Sequence, residues 1–285
     1  MRVIFAWLDE RRRKRLLQTP FPEEWERTLS RNMIHFGYLD TDEQQRLRGL
    51  IQLFVAEKEW EGCNGLVLTD EMRVTIAGQA CLLLLGFFDA SGGPLFRGPD
   101  LYANVETILV YPSTFVPRRT EDSIFAIPGI EHPMLPLIGE AHRRGPVILT
   151  WNAVRRSAKN PNLGHNVVYH EFAHKLDMLD GAADGVPPLR NDAEYERWNR
   201  VCQAEYERLR ELSDAGREGV LDPYGSTDEG EFFAVVTEAF FDTPIELQEE
   251  HPALYEVLSA FYRQDTAARQ RRARSDFSAP SEPLH

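Results

Sequence analysis

The sequence predicts an α+β fold, mainly helical with a small mixed sheet, and three observations carry that prediction. Apolar residues recur at helical spacing along most of the 285 residues. The β-branched runs Val105–Tyr111 and Gly145–Trp151 are too brief for helices and have strand composition. Asn166–Asp177 is an apolar helical stretch whose polar face carries His170, Glu171 and His174. At 42% apolar residues, the chain has material for a sizeable core.

Met1–Leu8 is apolar but too short for a secretion signal, and the basic run in Asp9–Arg15 follows it instead of preceding it. That run reads as a solvated helix face. Pro20 and Pro22 close this first helix, and Glu23–His35 forms a short one before Gly37. Thr41–Gln44 has capping-box spacing and opens an amphipathic helix to about Trp60, with Leu47, Leu50, Ile51, Phe54 and Val55 as its apolar stripe. Glu61–Gly65 breaks it, Gly65–Thr69 is strand-like, and Asp70–Leu85 is an apolar helix ending at Gly86. Phe87–Pro99 is a loop, and Pro112–Pro136 is a long, Pro-punctuated segment of the kind that covers or serves a site. The strand Gly145–Trp151 precedes the histidine helix, where it either borders a cleft and pairs with extended substrate or is an ordinary sheet strand. Asp192–Ser213 is a charged amphipathic helix with Tyr195, Trp198, Val201 and Leu209 inward, and Ala253–Gln264 closes the domain. Residues 1–265 thus form a single domain with a helical N-terminal part, and the polar stretch 266–285 is expected to be poorly ordered.

His170, Glu171 and His174 spell H-E-x-x-H. Histidines four apart on a helix lie about 40° apart around its axis and close on a single ion. Zinc held by neutral imidazoles acidifies a water toward a pKa of about 7, and a neighbouring carboxylate such as Glu171 takes the proton. Asp177 lies on the histidine face seven residues after His170, where it either orients an imidazole from outside the ligand set or serves as an ordinary helix-end carboxylate.

A third ligand is still needed. Asp180 is a poor one, because Met178–Gly181 reads as one more helical turn ending at a Gly cap. Further on, Ser226 and Glu229 have capping-box spacing, and the helix they open carries Glu231, Val235 and Glu238 on one face of an apolar segment. Seven residues rise roughly 10.5 Å, so the two carboxylates cannot share one ion, and spacing does not choose between them.

The runs His170–Gly181 and Glu231–Phe241, with Tyr224 seven residues before Glu231, resemble the Mlc titration factor A family of zinc-dependent peptidases. The metal site of that family is similar to that of the anthrax lethal factor catalytic domain, and the resemblance extends from near Trp7 to about Asp265. It implies a zincin-like fold with one zinc ion on His170, His174 and Glu231. It implies further that Glu171 is the general base, that the Tyr224 hydroxyl stabilises the oxyanion, and that Glu238 supports a ligand histidine. The activity it implies is aminopeptidase-type hydrolysis of peptide substrates, with a Mlc-type transcriptional repressor of sugar uptake as a partner.

A net charge of −13 and a pI near 5.1 argue against direct nucleic-acid binding or an anionic membrane surface. No uninterrupted apolar stretch reaches membrane-spanning length. Cys63, Cys81 and Cys202 form neither a disulfide framework nor a thiolate site, and a cytoplasmic location is expected. Two rivals remain: a repressor-binding protein whose zinc is structural or latent, and a helical scaffold in which H-E-x-x-H is coincidental.

Overall fold

The computed structural model describes residues 11–88, 102–113, 126–127, 130–131, 145–161 and 165–278. Its helices are α1 (11–18), α2 (Glu23–Asn32), α3 (Thr41–Glu57), α4 (Asp70–Leu84), α5 (Trp151–Lys159), α6 (Val167–Asp177), α7 (Asp192–Asp214), α8 (Glu229–Asp242), α9 (Pro244–Glu250), α10 (Pro252–Tyr262) and α11 (Thr266–Ser278). Its strands are β1 (Glu59–Gly62), β2 (Thr107–Tyr111), β3 (Ala126–Ile127), β4 (Ile130–Glu131) and β5 (Val147–Thr150). The fold is mainly helical, with a small three-stranded sheet in the order β1-β2-β5 and a separate β3-β4 pair.

All three sheet strands run parallel, so the expected mixed sheet is corrected to a parallel one. Ile108 pairs with Val147 and Val110 with Leu149, which turns all four side chains to one buried face. β1 is the unexpected strand: α3 stops at Glu57 instead of Trp60, and Glu59–Gly62 adds to β2, while the expected strand at Gly65–Thr69 is not one. Trp151 leaves β5 and at once opens α5, a helix with no sequence expectation.

α4 is the centre of the core. Every residue from Val74 to Leu84 is buried, and the helix packs against α2, α3, α5 and α6. Gly78 permits this approach, since a Cβ there would lie 2.8 Å from Leu29 Cδ2. α6 turns Phe172 into this core, where its ring meets Tyr102 at 4.6 Å and Phe54 at 5.7 Å between centroids. Its other neighbour is α8, which is buried without a break from Phe232 to Asp242 and so lies flat against the histidine helix. β5, an outer strand of the sheet among the described residues, also packs beside α6.

Several local expectations are corrected. The α3 capping box is made by Asp40 and Glu43, with Asp40 Oδ1 accepting the Glu43 N–H at 2.8 Å and Glu43 Oε2 accepting the Asp40 N–H at 3.0 Å. α8 is capped by Asp228, which accepts the Glu231 N–H, whereas Ser226 belongs to the preceding turn and donates to the Pro223 carbonyl. α2 ends at Asn32, and Ile34–Tyr38 is a separate 3-10 turn that includes Gly37. The basic run is only partly solvated, because Arg13 makes two hydrogen bonds to Glu57. Of the stretch 266–285 expected to be poorly ordered, the described part, 266–278, is α11, with Ala267, Arg269 and Gln270 buried and Arg269 Nη2 donating to Glu43 Oε1 at 2.6 Å. Residues 1–10 and 279–285, most of the Phe87–Pro99 loop and most of Pro112–Pro136 lie outside the described residues. Among the described residues no helix is long and apolar enough to cross a membrane.

Candidate metal centre

Asn166 starts the site. Its Oδ1 accepts the N–H groups of Val168 and Tyr169, so the residue caps α6 directly before the histidines. One turn on, the helix presents His170 and His174 side by side, with their Nε2 atoms 3.2 Å apart. α8 brings Glu231 over them, its Oε2 lying 3.0 Å from His170 Nε2 and 3.6 Å from His174 Nε2. Among the described residues these three form the one group of metal-ligating type.

The residues fit a metal ion. Tetrahedral ligands at about 2.0–2.1 Å from zinc stand roughly 3.3 Å from one another, and the three spacings bracket that value. Glu231 Oε2 is buried and close to both imidazoles, yet it makes no aligned hydrogen bond. A buried carboxylate oxygen near two imidazoles and without a hydrogen bond of its own is one that a shared ion would satisfy.

Glu238 sits two turns further along α8 and is 4% exposed. Its Oε1 accepts from His170 Nδ1 at 2.7 Å and its Oε2 accepts the Asn166 N–H. With the proton held at Nδ1, the Nε2 lone pair of His170 is left facing His174 and Glu231. Burial opposes a charge on His170, but the carboxylates Glu238 and Glu231 outweigh it and raise the imidazole well above its ordinary value. Burial likewise works against ionised Glu231, but the approach of His170 and His174 holds its carboxyl far below the usual range. The well is therefore negative and suited to a cation.

Glu171 is partly exposed beside these residues, and its charge is felt at Tyr224. Tyr224 stands in a 3-10 turn, Pro223–Ser226, with its ring centroid 6.1 Å from that of His170 and Glu231 among the groups that act on its hydroxyl. Burial and the Glu231 charge push its phenol upward, so the hydroxyl keeps its proton and remains a donor.

Asp177 lies near enough to His174 for the imidazole charge to act on its carboxyl, and it makes a further contact of its own. It is fully buried, and its Oδ2 accepts the Gly185 N–H at 3.1 Å, tying down the turn that follows α6. Gly185 has φ +74°, and a Cβ there would strike the Glu229 carbonyl, so this turn is the seat on which the start of α8 rests. Asp180 is exposed and accepts the Ala182 N–H, away from the three donors.

The sequence profile described as "Glucose-regulated metallo-peptidase M90" matches residues 7–263. The chain belongs to this M90 metallopeptidase family. Its relatives include the "Uncharacterized protein slr2042" of Synechocystis sp., 40% identical over 257 residues covering 90% of this chain and 89% of that one. Mlc titration factor A of Serratia proteamaculans is 35% identical over 248 residues, 85% of this chain and 87% of its own. Mlc titration factor A of Edwardsiella ictaluri is also 35% identical, over 237 residues, 81% and 84% of the two chains. Membership of M90 implies a metal ion, and the His170, His174 and Glu231 donor set is where this chain can hold one.

Two residues near Tyr224, His165 and Asp222, are not among those that the sequence singles out. His165 Nε2 lies 3.0 Å from Asp222 Oδ2, and Asp222 Oδ1 accepts the Tyr224 N–H at 2.7 Å. The second contact is a local Asx turn that the spacing Asp-Pro-Tyr signals. The first joins residues 57 positions apart (222 − 165) and has no local signal.

Proposed function

We propose that this chain is a zinc-dependent peptidase of aminopeptidase type, with a zincin-like fold and a cytoplasmic location, in which His170, His174 and Glu231 hold the ion. The observation that carries the reading is the convergence of those three donors around a buried carboxylate oxygen without an aligned hydrogen bond. Two imidazoles and one carboxylate at tetrahedral spacing favour zinc and leave a position for substrate. The aminopeptidase direction and the preference for short substrates come from the family resemblance.

When bound, the ion supplies Lewis acidity that polarises a scissile carbonyl and acidifies a water molecule. Glu171 would be the carboxylate that takes a proton from the attacking water and returns it to the departing amine. Tyr224 donates its hydroxyl hydrogen to the carbonyl oxygen as negative charge builds there. Glu238 keeps the His170 proton on Nδ1, and Asp177 supports the seat of α8.

The test is metal content and hydrolysis of aminoacyl and short peptide substrates by the purified wild type, Glu171→Gln and Glu231→Ala. The expected outcome is about one zinc per chain in the wild type and Glu171→Gln, loss of zinc in Glu231→Ala, and hydrolysis in the wild type alone. Zinc retained at full affinity in Glu231→Ala would overturn the ligand set.

A second reading rests on the relatives named Mlc titration factor A. Here the chain binds a Mlc-type repressor, and the metal site is structural or latent. That reading requires Glu171→Gln to bind the repressor as the wild type does and the wild type to show no chelator-sensitive hydrolysis.

A further inference from the structure

Tyr224 has the least secure mounting of the side chains around the metal centre. The histidines and Glu231 stand on long helices, whereas Tyr224 stands in a four-residue turn between α7 and α8. The C-terminal side of that turn is well seated: Tyr206 Oη donates to the Ser226 carbonyl, the Thr227 hydroxyl and N–H both donate to the Tyr224 carbonyl, and Gly225 packs where a Cβ would lie 3.1 Å from Leu209 and Val235. Its N-terminal side is held by Asp222. One carboxylate oxygen accepts the Tyr224 N–H at 2.7 Å, and the other faces His165 Nε2 at 3.0 Å.

We propose that His165 and Asp222 are positioning residues that set the Tyr224 hydroxyl relative to the metal-binding histidines. His165 directly precedes Asn166, whose N–H is accepted by Glu238 Oε2, while Glu238 Oε1 accepts from His170 Nδ1. Hydrogen bonds thus run from the His170 ring through Glu238 to the Asn166 amide, and from Asp222 to the Tyr224 amide, and the 3.0 Å approach of the half-exposed His165 imidazole to Asp222 links the two. Glu238 fixes the ring that points at the ion, and the same carboxylate fixes the chain from which His165 reaches across. Asp222 is shared between the two: one oxygen accepts the Tyr224 N–H, and the other lies close enough to the His165 imidazole for a charge-dependent contact. The inference rests on the reading of Tyr224 as the donor to the developing oxyanion.

The experiment compares kcat, KM and zinc content of His165→Ala, Asp222→Ala and His165→Gln, each in the wild-type and Tyr224→Phe backgrounds. A misplaced donor costs transition-state stabilisation, so His165→Ala and Asp222→Ala are expected to lower kcat about tenfold, with KM and zinc unchanged. In the Tyr224→Phe background the same substitutions should change kcat by less than about twofold, because the group they position is gone. His165→Gln, whose amide N–H still reaches Asp222, should recover most of the loss. Independently of activity, hydrogen exchange at the Tyr224 amide should be faster in His165→Ala than in wild type, with or without zinc. Equal losses of kcat in both backgrounds, or unchanged kcat and exchange in the alanine variants, would overturn the inference alone. If Tyr224→Phe itself keeps wild-type kcat, the reading of the hydroxyl fails, and the inference falls with it.

Discussion

Replacing Glu238 by Gln leaves shape and volume nearly untouched and removes one acceptor. The carboxylate now serves two donors, His170 Nδ1 at 2.7 Å and the Asn166 N–H. Glutamine has one carbonyl oxygen for the two of them. If that oxygen stays on Asn166, the new NH2 faces His170 Nδ1, the imidazole proton must move to Nε2, and the ligand lone pair is lost. If it stays on His170, two N–H groups oppose each other at the cap of α6 in a place that is 4% exposed. Carboxylates that support a ligand histidine are worth about 10- to 100-fold in metal affinity, or about 1.4–2.7 kcal/mol. Competition against a chromophoric chelator at fixed pH measures this directly, with circular dichroism as the check that α6 and α8 are intact. Zinc affinity within about twofold of wild type in a folded Glu238→Gln would refute the assignment of Glu238 as the group that orients His170.

Three further outcomes follow from the same contacts. A chelator should lower the Tm of the wild type and leave that of Glu231→Ala unchanged, since an ion at 100 times its Kd adds about 2.7 kcal/mol to the folded state; differential scanning calorimetry reads this. Phe172→Ala, which empties the space between Phe54 and Tyr102, should cost about 3–5 kcal/mol in urea titration. His35 and Asp242 lie 3.3 Å apart in full burial, with Tyr169 and the charge of Arg269 facing them; burial pulls His35 down to about 4 and pushes Asp242 well up. The raised Asp242 carboxyl holds a proton that the unfolded chain has released, so it makes stability fall as pH rises above the ordinary carboxylate range. Asp242→Asn should abolish that slope and replace it with a loss below about pH 6.5, as the unfolded His35 protonates first; urea titrations at pH 5, 6.5 and 8 distinguish the two.

The metal-site pattern was legible because it is local. His170 and His174 share a helix turn, and Glu231 and Glu238 share a face two turns apart, so helical periodicity places these four on their elements, whereas the choice of Glu231 and the place of Tyr224 came from the family resemblance. What was not legible depended on distant partners. Glu59–Gly62 has no strand composition and becomes one because β2 offers it a free edge. The polar Thr266–Ser278 resembles a disordered tail until Arg269 finds Glu43 and Ala267 finds the core. Asp177 sits on the histidine face by period, yet its buried oxygen meets Gly185, a turn whose geometry no periodicity describes. The strand composition of Gly145–Trp151 signals β5 but hides α5, because the cap residue Thr150 belongs to the strand and its side chain makes no capping hydrogen bond.

The Arg269–Glu43 pair also has a consequence in time. Glu43 is half of the capping box that starts α3, and its second carboxylate oxygen waits for a guanidinium 226 positions further along the chain. A ribosome adding about 5–20 residues per second takes roughly 11–45 s to span that distance. Throughout that interval the N-terminal helices are present without the helix that will cover them. A nascent chain of this protein therefore exposes the Glu43 end of α3 to chaperones, or to other nascent chains, for far longer than the time in which the helix itself forms.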